Sequence, residues 1–89
     1  MAKKRRKLNK DFERKIYSSK KNVELVLAKI YDIDDEDIQN EYMSAFNKVV
    51  YLFDELNEDY ERKGFSDNSE ELLTSYKNAF NLFESEFEI

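Results

Sequence analysis

Across 89 residues the chain contains no proline and a single glycine, Gly64. Proline removes a backbone donor and clashes with the preceding helical turn, and glycine weakens a helix through its backbone freedom. A chain almost free of both can therefore run long helices. The apolar spacing makes this specific, because apolar residues recurring by three and four place one stripe on one helix face. Leu8, Phe12, Ile16, Ser19, Val23, Val26 and Ile30 step in this way, with Leu27 and Tyr31 widening the stripe. A second segment carries two adjacent seams, one through Ile38, Tyr42, Ala45, Val49, Leu52, Leu56 and Tyr60, the other through Met43, Phe46, Val50 and Phe53. A third segment carries Leu73, Tyr76, Phe80, Phe83 and Phe87, supported by Leu72 and Ala79. Helices are predicted over 9–31, 36–62 and 69–86. Two seams imply two neighbours, so the second helix should be central.

The breaks carry their own chemistry. Asp34 or Asp35 can cap the second helix, and Glu36 and Asp37 then occupy a first turn where the helix dipole favours negative charge. Lys63-Gly64-Phe65 reads as a helix stop, with Gly64 in the left-handed conformation and Phe65 making the accompanying apolar contact. Asp67 followed by Glu70 predicts a capping box for the third helix. Short connections make consecutive helices antiparallel. The expected fold is all-α, an up-down-up three-helix bundle; the alternative is a helical hairpin completed by dimerisation. Residues 1–8 are expected to form a flexible basic arm and 9–89 a single helical domain.

Charge is divided by position. The first twenty-one residues hold ten of the fifteen Lys and Arg against only Asp11 and Glu13, a net +8, and the remainder is −13, so the overall −5 conceals a basic start on an acidic body. With no Cys and no His, the chain has no disulfide, no usual zinc, haem or iron–sulfur ligands and no imidazole for acid–base work near neutrality. No cofactor, metal or catalytic residue is expected. A calcium loop opening at Asp32, Asp34 and Glu36 fails, because its sixth position is Asp37 where glycine is needed and its twelfth is Met43 where a bidentate Glu is needed. No apolar run approaches the ~20 residues of a membrane span, and no apolar stretch follows Lys3–Lys7, so the expected compartment is the cytoplasm, the host's if the chain is phage-encoded.

Three surfaces are candidates for partners. An up-down-up bundle gathers Asp32, Asp34, Asp35, Glu36, Asp37 and Glu41 with Glu84, Glu86 and Glu88 into one acidic end, with only Lys29 close by spacing. The opposite end brings Lys7, Lys10 and Arg14 towards Asp54, Glu55, Glu58, Asp59 and Glu61, where opposite charges can compensate internally. Lys3, Lys4, Arg5, Arg6 and Lys7, extended by Lys10 and Arg14, could neutralise phosphates without reading sequence. Among thirteen aromatics, Tyr17, Tyr51 and Phe65 fit the stripes least; Tyr51, set among Ser44, Asn47, Lys48, Asp54 and Glu55, is the best candidate anchor for a partner.

In length the chain is similar to the secreted WXG helical dimers, but it has no Trp and so lacks their defining turn. A tiny, acidic, helical chain rich in Asn, Lys, Ile, Tyr and Phe is similar in style to phage and mobile-element proteins that occupy a host protein. The leading expectation is a non-enzymatic protein-binding regulator, an inhibitor that occludes a basic surface through its acidic face. The alternatives are a nucleic-acid-associated protein gripping phosphates through its basic arm, and a homo-oligomeric structural or scaffold subunit. Partners expected are thus a basic protein surface or nucleic acid, no membrane, with the chain a monomer or homodimer.

Overall fold

The computed structural model describes residues 7–88, so Lys3, Lys4, Arg5 and Arg6 of the expected arm lie outside the described residues. Helix α1 spans Lys10–Tyr31, α2 Glu36–Lys63 and α3 Asp67–Glu86. α2 is the central element, packing on α1 and on α3 of the same chain. This is the up-down-up three-helix bundle. The 28 residues of α2, reaching ~42 Å, supply the greater part of the longest dimension of 57 Å.

Each helix starts on a side-chain oxygen that accepts from otherwise unpaired backbone donors. Asn9 accepts from Phe12 N at 3.0 Å, and Asp35 from Asp37 N at 2.9 Å and Ile38 N at 3.1 Å. At α3 the cap is Ser66, one residue before the expected Asp67. Its hydroxyl accepts from Ser69 N at 3.2 Å, while the Ser69 hydroxyl accepts from Ser66 N at 2.8 Å. Ser69 is fully buried, a position that suits a short hydroxyl and not the expected Glu70 carboxylate.

Gly64 ends α2, donating to Tyr60 O at 2.8 Å, but its backbone differs from the expected left-handed helical turn. With φ 77° and ψ −159° it occupies a region essentially restricted to glycine. This conformation sends the chain past the segment before α1, where Phe65 N–H donates to Lys7 O at 2.6 Å and Gly64 pairs with Lys7 as an isolated parallel bridge. A Cβ on Gly64 would overlap the Lys7 backbone, lying 2.7 Å from its nitrogen.

The core follows the predicted stripes. Phe46, Ile30, Leu56 and Val49 are fully enclosed. Rings join α2 to α3 through Phe46–Phe83 at 4.8 Å and Phe53–Tyr76 at 5.7 Å, and Phe12 of α1 meets Tyr60 at 5.5 Å and Phe65 at 5.1 Å. Phe65 is therefore a packing residue and not a free anchor. The stripes overreach at helix ends: Leu8, Tyr31 and Ile38, all expected in the core, are exposed. Leu8 precedes the Asn9 cap, where the chain is not helical, and at Tyr31 and Ile38 the helical period continues past the point where a neighbouring helix can cover it.

Candidate interaction surfaces

The end that holds the start of α1 and the end of α2 is joined by hydrogen bonds. Tyr60 Oη donates to Glu13 Oε2 at 2.6 Å and accepts from Asn9 N at 3.1 Å, so one phenol ties α2 to the first turn of α1. Asp59 is only 5% exposed and accepts from Asn68 Nδ2 at 3.1 Å through Oδ1. The first turn of α3, where the helix dipole is positive, offers that buried carboxylate a favourable field. Ion pairs joining described residues at this end are Arg14–Asp11 at 3.2 Å and Lys63–Asp59 at 3.7 Å, each within one helix, and Lys7 Nζ lies over the Phe65 ring.

The opposite end is held by apolar and backbone contacts. The Tyr42 ring meets Phe87 at 4.8 Å and its hydroxyl lies 3.4 Å from Glu88 O, bringing the end of α3 to the start of α2. Gln39 Nε2 donates to Ile30 O and Tyr31 O, both at 3.1 Å, and closes the α1–α2 connection. Asp32 caps α1 through its backbone N–H and Asp35 caps α2 through its carboxylate, leaving the side chains of Asp32, Asp34, Glu36, Asp37 and Glu41 exposed. Glu88 is exposed beside them. Glu84 and Glu86 turn to the sides. Glu84 shares with Lys29 and Lys77 a cleft of about 350 Å³ between α1 and α3, floored by Val26, Tyr76 and Phe80. Glu86 borders with Lys48 a cleft between α2 and α3.

Two side chains missed in the sequence belong to this acidic end. Tyr31 is 68% and Ile38 46% exposed, one at the last position of α1 and the other in the first turn of α2, so apolar surface lies among the carboxylates. The signal was available in their position: a stripe residue next to a short connection has no helix beyond it. Tyr51 is exposed as expected, its hydroxyl 3.4 Å from Glu55 Oε1, but it sits ~20 Å along α2 from Ile38 and belongs to a separate surface.

Between the two ends, Tyr76 Oη donates to Ser19 O at 3.2 Å and links α3 to α1. Burial pushes the Tyr76 phenol above its ordinary value; the Ser19 side chain opposes the rise and the Glu84 charge adds to it. Among the described residues no cluster of three or more acidic side chains could hold a metal ion, and no helix is long and apolar enough to cross a membrane. No protein-family model matches this chain, and neither does any curated protein or any solved structure.

Proposed function

We propose that this chain is a non-enzymatic protein-binding regulator, an inhibitor of the style carried by phages and mobile elements, which occludes a basic surface of another protein with its acidic end. The observation that carries this reading is the exposure of Tyr31 and Ile38 among Asp32, Asp34, Glu36, Asp37 and Glu41. Acids alone would describe a solvated face. Apolar groups ringed by charge have the make-up of a protein interface, in which desolvated anchors supply affinity while the charged rim steers approach and rejects wrong partners. Occlusion is then steric and electrostatic, and asks for no group chemistry from a chain without His or Cys.

The test is capture from nuclease-treated lysate of a low-GC bacterium, since AT-rich codons encode the Asn, Lys, Ile, Tyr and Phe in which the chain is rich, with the retained proteins identified by mass spectrometry. Three forms are compared: the intact chain, a triple variant Asp32→Lys, Asp34→Lys, Glu41→Lys, and a double variant Tyr31→Ser, Ile38→Ser. These changes spare the Asp35 cap and the dipole-favoured Glu36 and Asp37. A discrete protein held by the intact chain should be lost from both variants, and its association rate with the purified chain should fall as salt rises. Equal retention by all three forms would remove the acidic end from consideration.

A further inference from the structure

The outward face of α1 carries a different surface, which the acidic end does not explain. Lys10, Arg14, Tyr17 and Lys21 follow one another by four, three and four residues, so they form a single stripe along the helix. This stripe lies opposite the buried Phe12, Ile16, Val23 and Ile30, and all four side chains are exposed. Tyr17 is 61% exposed, and Lys21 Nζ stands 5.3 Å from the centre of its ring. Lys10, Arg14 and Tyr17 border one shallow depression together with Glu13 and Ser18.

From this we infer that the outer face of α1 binds single-stranded polynucleotide, with Lys10, Arg14 and Lys21 holding phosphates and the Tyr17 ring stacking on a base. Positive side chains that track a backbone, interleaved with an aromatic ring on which bases stack, are what single-strand recognition requires. Four residues of helix advance ~6 Å, the scale of one nucleotide of an extended strand. A rigid duplex keeps its bases stacked on one another and leaves Tyr17 without a partner.

Nearby acids do not cancel the stripe. They reduce it: Asp11 offsets Arg14 in a surface pair at 3.2 Å, Glu13 borders the depression while accepting from the Tyr60 hydroxyl, and Glu24 follows Lys21 by three residues. Yet residues 10–24 hold five Lys or Arg against these three acids, a net of 5 − 3 = +2. Of the α3 acids, Glu84 lies in the cleft with Lys29 and Lys77. The inference does not depend on the acidic end.

The experiment is fluorescence anisotropy of the full chain with labelled oligo(dT) and oligo(rU), each of about 20 nucleotides, at about 50 mM salt, with duplex of equal length for comparison. Both single strands should bind, the duplex about tenfold or more weakly, and affinity should fall at least about tenfold on raising salt to about 200 mM. Tyr17→Ala should weaken binding about tenfold and Tyr17→Phe by less than about twofold, since the ring and not the hydroxyl stacks. The triple variant Lys10→Ala, Arg14→Ala, Lys21→Ala should weaken binding and flatten its salt dependence. Circular dichroism should show unchanged helicity in every variant, because the altered side chains are exposed. The proposal is overturned by no binding at these salts, by duplex binding as tight as single strand, or by full affinity in Tyr17→Ala. It is equally overturned if polyglutamate competes as well as unlabelled oligonucleotide, which would make the stripe a docking face for an acidic protein.

Discussion

At the end of the bundle where α1 begins and α2 stops, polar side chains face one another: Tyr60 reaches Glu13 and Asn9, and Asp59 reaches Asn68. At the end where α1 stops and α2 begins, the carboxylates of Asp32, Asp34, Glu36, Asp37 and Glu41 face water, with Tyr31 and Ile38 exposed among them. Both ends are rich in charge, yet one uses it to join helices and the other keeps it outside. Only groups that are partly buried and paired contribute appreciably to stability, because exposed charges interact weakly in water. The first end should therefore respond to substitution by losing stability, and the second by losing a partner.

Gly64→Ala should break the comparison most severely. The substitution places a Cβ against the Lys7 backbone and forces alanine into a backbone region essentially restricted to glycine. The strain alone should cost ~1–3 kcal/mol, and loss of the Lys7 pairing adds to it. Thermal unfolding should show a fall of roughly 4–8 °C for each kcal/mol lost in a domain of this size. An unchanged melting temperature would mean that the segment around Lys7 contributes nothing to the joined end.

Tyr60→Phe probes the same end more gently. It keeps the ring against Phe12 but leaves Glu13 Oε2 and Asn9 N without the phenol oxygen. A loss of ~1–2 kcal/mol in urea unfolding is expected, and Glu13→Gln in the Tyr60→Phe background should add little if the two groups act as one unit.

Much of the joined end was legible only in part. Helical spacing identified Phe46, Val49, Leu56 and Ile30 as core, because a buried stripe repeats whatever its neighbour is. Gly64 and Asp35 were legible from local chemistry. The Tyr60–Glu13 bond was not, since 47 residues separate the partners and no local pattern records which helix ends meet. The Ser66 and Ser69 pair was hidden by Asp67 and Glu70, which offer the same capping chemistry one residue later; burial of Ser69 decides between them. At the outward end the acids were visible as composition, whereas exposure of Tyr31 and Ile38 depends on where their neighbours stop. The spacing of Tyr17 with Lys10, Arg14 and Lys21 was present in the chain, but a polar stripe gains meaning only once the buried stripe opposite it is established.

Tyr76 lies between the ends and gives the comparison a pH axis. Its phenol is raised in the fold chiefly by burial, so the folded protein holds it neutral more tightly than the unfolded chain does. That contribution is complete below the unfolded value near pH ~10 and is lost as pH rises through the higher folded value. Stability should therefore fall above about pH 10 in the intact chain, and Tyr76→Phe should remove part of that slope. At neutral pH the same variant should cost only ~0.5–1.5 kcal/mol, the net value of one hydrogen bond, in this case to Ser19 O.

The smallest effect on stability is expected at the outward end, and it is the most informative. Asp32→Lys, Asp34→Lys and Glu41→Lys together alter three exposed side chains, none of which makes a hydrogen bond or ion pair with another described residue. Lysine at the C-cap of α1 meets the negative end of that helix dipole, which is favourable by ~0.3–1 kcal/mol at low salt. Replacing three acids by bases also relieves repulsion among the remaining carboxylates. The melting temperature should stay constant or rise slightly, and the stability gained by the intact chain on adding salt, which screens that repulsion, should shrink in the variant. A loss above ~1 kcal/mol would show that these acids support the fold in the way Tyr60 and Asp59 do, and the distinction between a joined end and an outward end would no longer stand.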